Sequence, residues 1–225
     1  MKRSTVIAAG LAAAIVAIIL TALQLTSPRA ADAEPTAGPS TGGGTTAGRL
    51  VRADSHRLDE AADGKVTLVE FLDFECESCR AAYPLVEQLR KDYAGKVTFV
   101  IRYFPIQSHF NATNAALAVE AAAQQGKLEQ MYQRMYDTQA EWGEKQTSEA
   151  ARFRADALIL GLDMNAYDAA IKDPQTLARV EKDRQDGLAL GVQGTPTFFL
   201  NGKQLLPESA EDFRTQIDAA LANAR

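Results

Sequence analysis

The chain has 225 residues, of which 46% are hydrophobic and 24% charged, with 29 acidic against 24 basic side chains and a formal charge of −5. Setting aside a leader and a linker leaves about 175 residues, enough for one domain with a full apolar core. The acidic balance, and the absence of a basic block from the folded part, argue against nucleic acid as a partner.

The N-terminus opens with Lys2 and Arg3 and then carries no charge until Arg29. Residues 4–25 are long enough to cross a bilayer as a helix, about 33 Å at 1.5 Å per residue. A membrane anchor is therefore expected over residues 1–26, with the basic flank inside and the domain outside the cytoplasm. Cleavage of a signal peptide near the small residues Ala31-Asp32-Ala33 is the alternative, and it too sends the domain out. No cysteine follows the apolar run, which excludes a lipoprotein anchor. Residues 27–48 are rich in Pro, Gly, Ser, Thr and Ala and read as a flexible tether. The folded domain is expected over residues 49–225.

Residues 66–74, VTLVEFLDF, form an almost continuous apolar run, as a central strand buried on both faces requires. One acid, Glu70, interrupts it. A helix is expected over about 76–92, with Tyr83, Val86 and Leu89 on one face and Pro84 inside it. The next strand lies within KVTFVIRYFPI, residues 96–106, so the three elements read as a parallel βαβ unit. From about residue 111 to 190 the pattern is helical, with Ala115, Ala118 and Ala122 on one stripe and Leu128, Met131 and Met135 on another. The methionines read as core packing. Two short strands, 197–200 and 204–206, flank the hairpin turn Asn201-Gly202. Residues 208–222 close the chain as an amphipathic helix with Phe213, Ile217 and Leu221 inward.

The only two cysteines, Cys76 and Cys79, stand three residues apart where the central strand gives way to a helix. Residues i and i+3 share a helix face, so their sulfurs can bridge. The first lies at the helix N-terminus, where unpaired amides and the dipole favour a thiolate. That thiolate is both the attacking species and a good leaving group in disulfide exchange. Cys76 is thus the expected nucleophile and Cys79 the resolving thiol. A zinc ribbon would need a second cysteine pair, and His56 and His109 could be ligands only by long-range coincidence, so no metal is expected. His109 itself reads as an ordinary loop residue, since no partner is visible in the sequence, with a role near the redox site as the alternative.

Taken together, VEFLDFECESC, RYFPI, AAAQQGKLEQMYQRMY and GVQGTPTFFLNG resemble the DsbA family of thioredoxin-fold oxidoreductases, in its anchored or secreted bacterial branch. The resemblance covers about residues 66–221. It implies an α/β thioredoxin fold with a helical insertion, at about 108–190, between the second and third core strands. It implies that Glu70 is a buried acid beneath the active pair. Burial would raise its pKa and let it exchange a proton with the resolving thiol. It also implies that Thr195-Pro196 is a cis-proline turn facing the pair, whose backbone receives an extended substrate. The chain departs from the family between the cysteines, where Glu77 and Ser78 replace a frequent proline and the histidine of strong oxidants. Asp73, Glu75 and Glu77 should oppose the thiolate, so a weakened preference is expected.

The resulting expectation is a monomeric, cofactor-free protein disulfide oxidase. Reduced secreted proteins are its expected substrates. A quinone-linked membrane partner of the DsbB or vitamin K epoxide reductase type would reoxidise it. A reductase or isomerase is the rival direction, and a non-catalytic binding or metal-delivery module the rival class.

Overall fold

The computed structural model describes residues 45–224. These residues form eight helices and five strands: α1 (Thr46–Leu50), β1 (His56–Asp59), β2 (Thr67–Leu72), α2 (Glu77–Asp92), β3 (Thr98–Tyr103), α3 (Ala112–Ala123), α4 (Leu128–Trp142), α5 (Ala150–Ile159), α6 (Met164–Lys172), α7 (Pro174–Ala189), β4 (Thr197–Leu200), β5 (Lys203–Leu205) and α8 (Ala210–Asn223). The expected anchor, residues 1–26, lies outside the described residues, as does most of the expected tether. Among the described residues no helix is long and apolar enough to cross a membrane.

One sheet carries the strands in the order β1-β3-β2-β4-β5. β2 and β3 pair in parallel, as the strand–helix–strand reading requires, and the other pairs are antiparallel. Helices α3 to α7 enter between β3 and β4, which is the expected insertion between the second and third core strands. Asn201 and Gly202 both have positive φ, 47° and 86°, the geometry of a tight hairpin turn.

Two elements escaped the sequence reading. β1, with sequence HRLD, is half-exposed along its whole length and slips register against β3, so it has no clean alternation to reveal it. Helix α1 begins inside the last residues assigned to the tether, where the Thr45 hydroxyl caps it by accepting from Gly48 N at 3.2 Å.

β2 is central, and its two faces explain its apolar run. Leu68 packs with Phe99, Phe198 and Leu200, beneath Val86 and Leu89 of α2 and Phe213 and Ile217 of α8. Val69 and Phe71 face the opposite layer with Val100, Phe104, Val192 and Phe199. On that side α7 comes very close, because a Cβ at Gly187 would lie 2.7 Å from a Phe104 ring carbon and 3.0 Å from one of Phe71. The alanine stripe of α3 and the fully buried Met131 and Met135 of α4 join Leu72, Phe74 and Tyr103 in a third cluster. That cluster also contains both cysteines, so the insertion packs directly against the end of β2.

Candidate active site

Strand β2 ends in a short turn that sets the first cysteine at the head of α2. Asp73 builds the turn: its Oδ1 accepts from Glu75 N at 2.8 Å, and its carbonyl accepts from Cys76 N at 3.2 Å. Cys76 is the N-cap of α2, with extended φ and ψ of −67° and 121° and no side-chain cap bond. The first amides of the helix are therefore left to face the thiol. Gln139 of α4 fixes the same turn from the insertion, its Nε2 donating to the carbonyls of Phe74 at 2.6 Å and Cys76 at 3.0 Å.

Both cysteines are free thiols and buried, Cys76 at 7% exposure and Cys79 at 0%. Their environments push them apart. Cys76 falls from the usual thiol value to about 5. The Cys79 thiol contributes most to that fall, and burial opposes it. Thr195 and the backbone amides of Cys79 and Ser78 add to it. Cys79 is held well above the usual value, by burial first and then by Cys76 and Glu70.

Glu70 lies in the middle of β2, in register with Ile101 on one side and Phe198 on the other, at 5% exposure. Burial, then Glu87 and Cys76, push its carboxyl up to about 8. The Thr195–Pro196 bond is cis, and the Thr195 carbonyl accepts from Cys76 Sγ at 3.3 Å. Glu77 and Ser78 are exposed on the first turn of α2. Cys76 thus touches the Thr195-Pro196 turn, with Cys79 one helical turn away and Glu70 acting on both thiols from within β2.

Two expectations are corrected. Two of the three acids near Cys76, Asp73 and Glu75, do not face it freely. Asp73 is engaged by Glu75 N, Ile106 N and His109 Nδ1, and Glu75 Oε2 accepts from Asn111 N at 2.6 Å. Neither acid is among the groups that act most on the Cys76 thiol, which Cys79 above all draws below its usual value. Nor is His109 a loop residue without a partner, since its Nδ1 lies 2.7 Å from Asp73 Oδ2. Burial pushes Asp73 above the usual carboxylate range, while its two amide donors and His109 pull it back. The sequence did hold a signal for this contact. Parallel pairing of β2 and β3 puts the residues after both strands at the same end of the sheet, and those residues include Asp73 and His109. Among the described residues no group of three or more His, Cys, Asp or Glu side chains could hold a metal ion.

A family model described as thioredoxin matches residues 60–219. The sequence is 33% identical, over 159 residues, to a Na(+)/H(+) antiporter NhaA 1 of Mycolicibacterium vanbaalenii, covering 68% of this chain and 24% of that protein. The chain thus spans about a quarter of the length of the curated relatives it matches. In fold it is similar to a thioredoxin-like oxidoreductase from Silicibacter pomeroyi (TM-score 0.63, 27% identity, covering 79% of this chain and 96% of that one). It is also similar to alpha-DsbA1 of Wolbachia pipientis (TM-score 0.69, 17% identity, covering 80% and 96%).

Proposed function

Because the chain belongs to the thioredoxin family, matched over residues 60–219, we propose that it is a thiol–disulfide oxidoreductase of the DsbA type with Cys76 and Cys79 as its reacting pair. The observation that carries this reading is the unequal placement of two free thiols one helical turn apart, Cys76 at the head of α2 against the Thr195 carbonyl and Cys79 fully buried behind it. A purely structural pair has no need of it. An exchange enzyme needs one thiol that attacks and leaves as a thiolate, and one that waits protonated.

In the oxidising direction, a substrate thiolate attacks Cys76 of the disulfide form. The Cys76–Cys79 bond breaks, a mixed disulfide forms at Cys76, and Cys79 departs and takes up a proton. A second substrate thiolate then attacks its own partner sulfur in the mixed disulfide and Cys76 leaves as a thiolate. One protein disulfide and two substrate thiols become a dithiol and one substrate disulfide. Glu70 is the proton donor to Cys79. It is buried beneath the pair, acts electrostatically on Cys79, and titrates near 8, so it is largely protonated at neutral pH. The backbone at Thr195 and Pro196 receives the extended substrate beside Cys76, a role supported by the contact of its carbonyl with the sulfur.

In this reading the domain works outside the cytoplasm, tethered by residues 1–26, on reduced secreted proteins. A quinone-linked membrane partner of the DsbB or vitamin K epoxide reductase type returns it to the disulfide form. A tether would keep donor and reoxidant in one layer and raise their effective concentration. The ion exchange named for the antiporter relatives is not assigned to this chain.

Trapping separates the two cysteines. Cys79→Ser should accumulate mixed disulfides with secreted proteins on non-reducing gels, because attack remains while release is blocked. Cys76→Ser should accumulate few. Equal trapping by both variants would count against the assignment.

A further inference from the structure

Asp73, Cys76 and His109 form one hydrogen-bonded unit at the mouth of the pair. The Asp73 carbonyl holds the Cys76 amide at 3.2 Å, and its side chain holds His109 Nδ1 at 2.7 Å. The Asp73 side chain is fully buried, whereas the His109 side chain is 21% exposed, so the ring is clamped from below and open above. The remaining ring nitrogen, Nε2, has no protein hydrogen-bond partner among the described residues. Asp73→Ala would thus release the ring and the Glu75 amide, while the carbonyl bond to Cys76 N, being backbone, would remain.

We propose that His109, clamped by Asp73, is a charge-bearing residue that stabilises the thiolate of Cys76 and thereby the reduced form of the pair. The inference rests on the redox reading above and extends it to a residue outside the CxxC segment. The charged and titratable groups acting on the ring are Asp73, Cys76 and Glu75, and Glu75 in turn feels Glu144. Burial disfavours the imidazolium, but Asp73 and then Cys76 outweigh it and raise His109 above its ordinary value. Removing the imidazolium acts twice on Cys76. It deletes a nearby positive charge, and it leaves the Asp73 carboxylate uncompensated beside the turn.

Coupling between two groups is reciprocal, so the sulfur must move the ring as much as the ring moves the sulfur. The thiolate is present only in the reduced protein. His109 should therefore titrate at higher pH in the reduced than in the oxidised protein, followed through its ring signals by NMR. His56, the only other histidine and held by Glu120, supplies an internal reference. Equal midpoints for His109 in the two redox states would overturn the proposal, and so would a lower midpoint in the reduced protein.

A variant gives a second readout. In glutathione buffer at pH 6, His109→Gln should lower the oxidising equilibrium constant about tenfold, or about 30 mV for a two-electron couple. The His109 charge is present below its pKa, so the gap between variant and wild type should close as pH rises through that value. A merely structural histidine would give a gap that does not follow its titration. If no Cys76–Cys79 disulfide forms at all, the redox reading fails. The ring titration in reduced wild type against Cys76→Ser then still tests the coupling by itself. An unchanged His109 midpoint there overturns it, and a lower midpoint in Cys76→Ser supports it.

Discussion

Glu70 is the residue at which fold and chemistry conflict most directly. A carboxyl at 5% exposure in a central strand is costly to ionise, and its pKa is pushed from the usual range to about 8. A raised acid of this kind contributes fully below its unfolded value. That contribution is lost as pH rises from about 4.3 in the unfolded chain through about 8 in the folded one. Glu70→Gln should therefore stabilise the protein at pH 8, by about 4 kcal/mol, and change it little at pH 4. Denaturant melts at the two pH values check this. The same variant should exchange disulfides more slowly across pH 6–9, because the proton donor proposed for Cys79 is gone. Unchanged kinetics would remove Glu70 from the mechanism. In the sequence, spacing marks Cys76 and Cys79 and the apolar run sets off Glu70, whereas Thr195-Pro196 and the role of Glu70 come only through the family resemblance. Gln139 carries no such mark, and the Asp73–His109 contact only the indirect one of parallel strand ends, because these roles arise from contacts 33 to 65 residues apart.

At the scale of elements, the site depends on how closely helices approach the sheet. Gly187 is the point where α7 lies against Phe71 and Phe104, and the ring carbons leave no room for a methyl group. Both rings are in the core and cannot swing away into solvent. Gly187→Ala should therefore cost about 1–3 kcal/mol despite its better helix propensity. A thermal melt measures it, and a stabilised variant would mean that α7 can slide without loss. β2, α2, β3 and the β4–β5 hairpin were legible because burial on both faces, helical periodicity and Asn-Gly turn chemistry each leave a pattern. β1 left none, since it is short and half-exposed and its place is decided by β3.

Across the whole molecule, one buried cation ties the insertion, the sheet and the N-terminal helix together. Arg102 on β3 is fully buried; it bonds Asp183 and Asp186 of α7, each at 2.7 Å, and the carbonyls of Arg49 and Leu50 in α1. Asp186 also pairs with Arg52. Burial disfavours its charge, but Arg52 and Arg102 outweigh that and hold Asp186 below its usual range. A depressed acid contributes above its unfolded value, about 3.9, and the contribution is lost as pH falls through the folded one. Arg102→Met should cost about 3 kcal/mol, because two buried carboxylates each lose one partner, while Asp186 keeps Arg52 and Asp183 keeps Arg179. It should also move the acid limb of the stability profile to higher pH, which melts between pH 3 and 7 would show. The identity of the sheet and of the insertion was legible from element order, whereas this tie was not, since nothing local distinguishes Arg102 from a surface arginine. The central claim concerns the pair that this framework holds. Equilibrating the protein with glutathione buffers, and counting free thiols at each potential, tests it most directly. The account predicts a single two-electron transition between Cys76 and Cys79, above thioredoxin's about −270 mV and below DsbA's about −120 mV. Failure of the pair to form a disulfide would contradict the claim outright, and a potential at or below that of thioredoxin would contradict its oxidising direction.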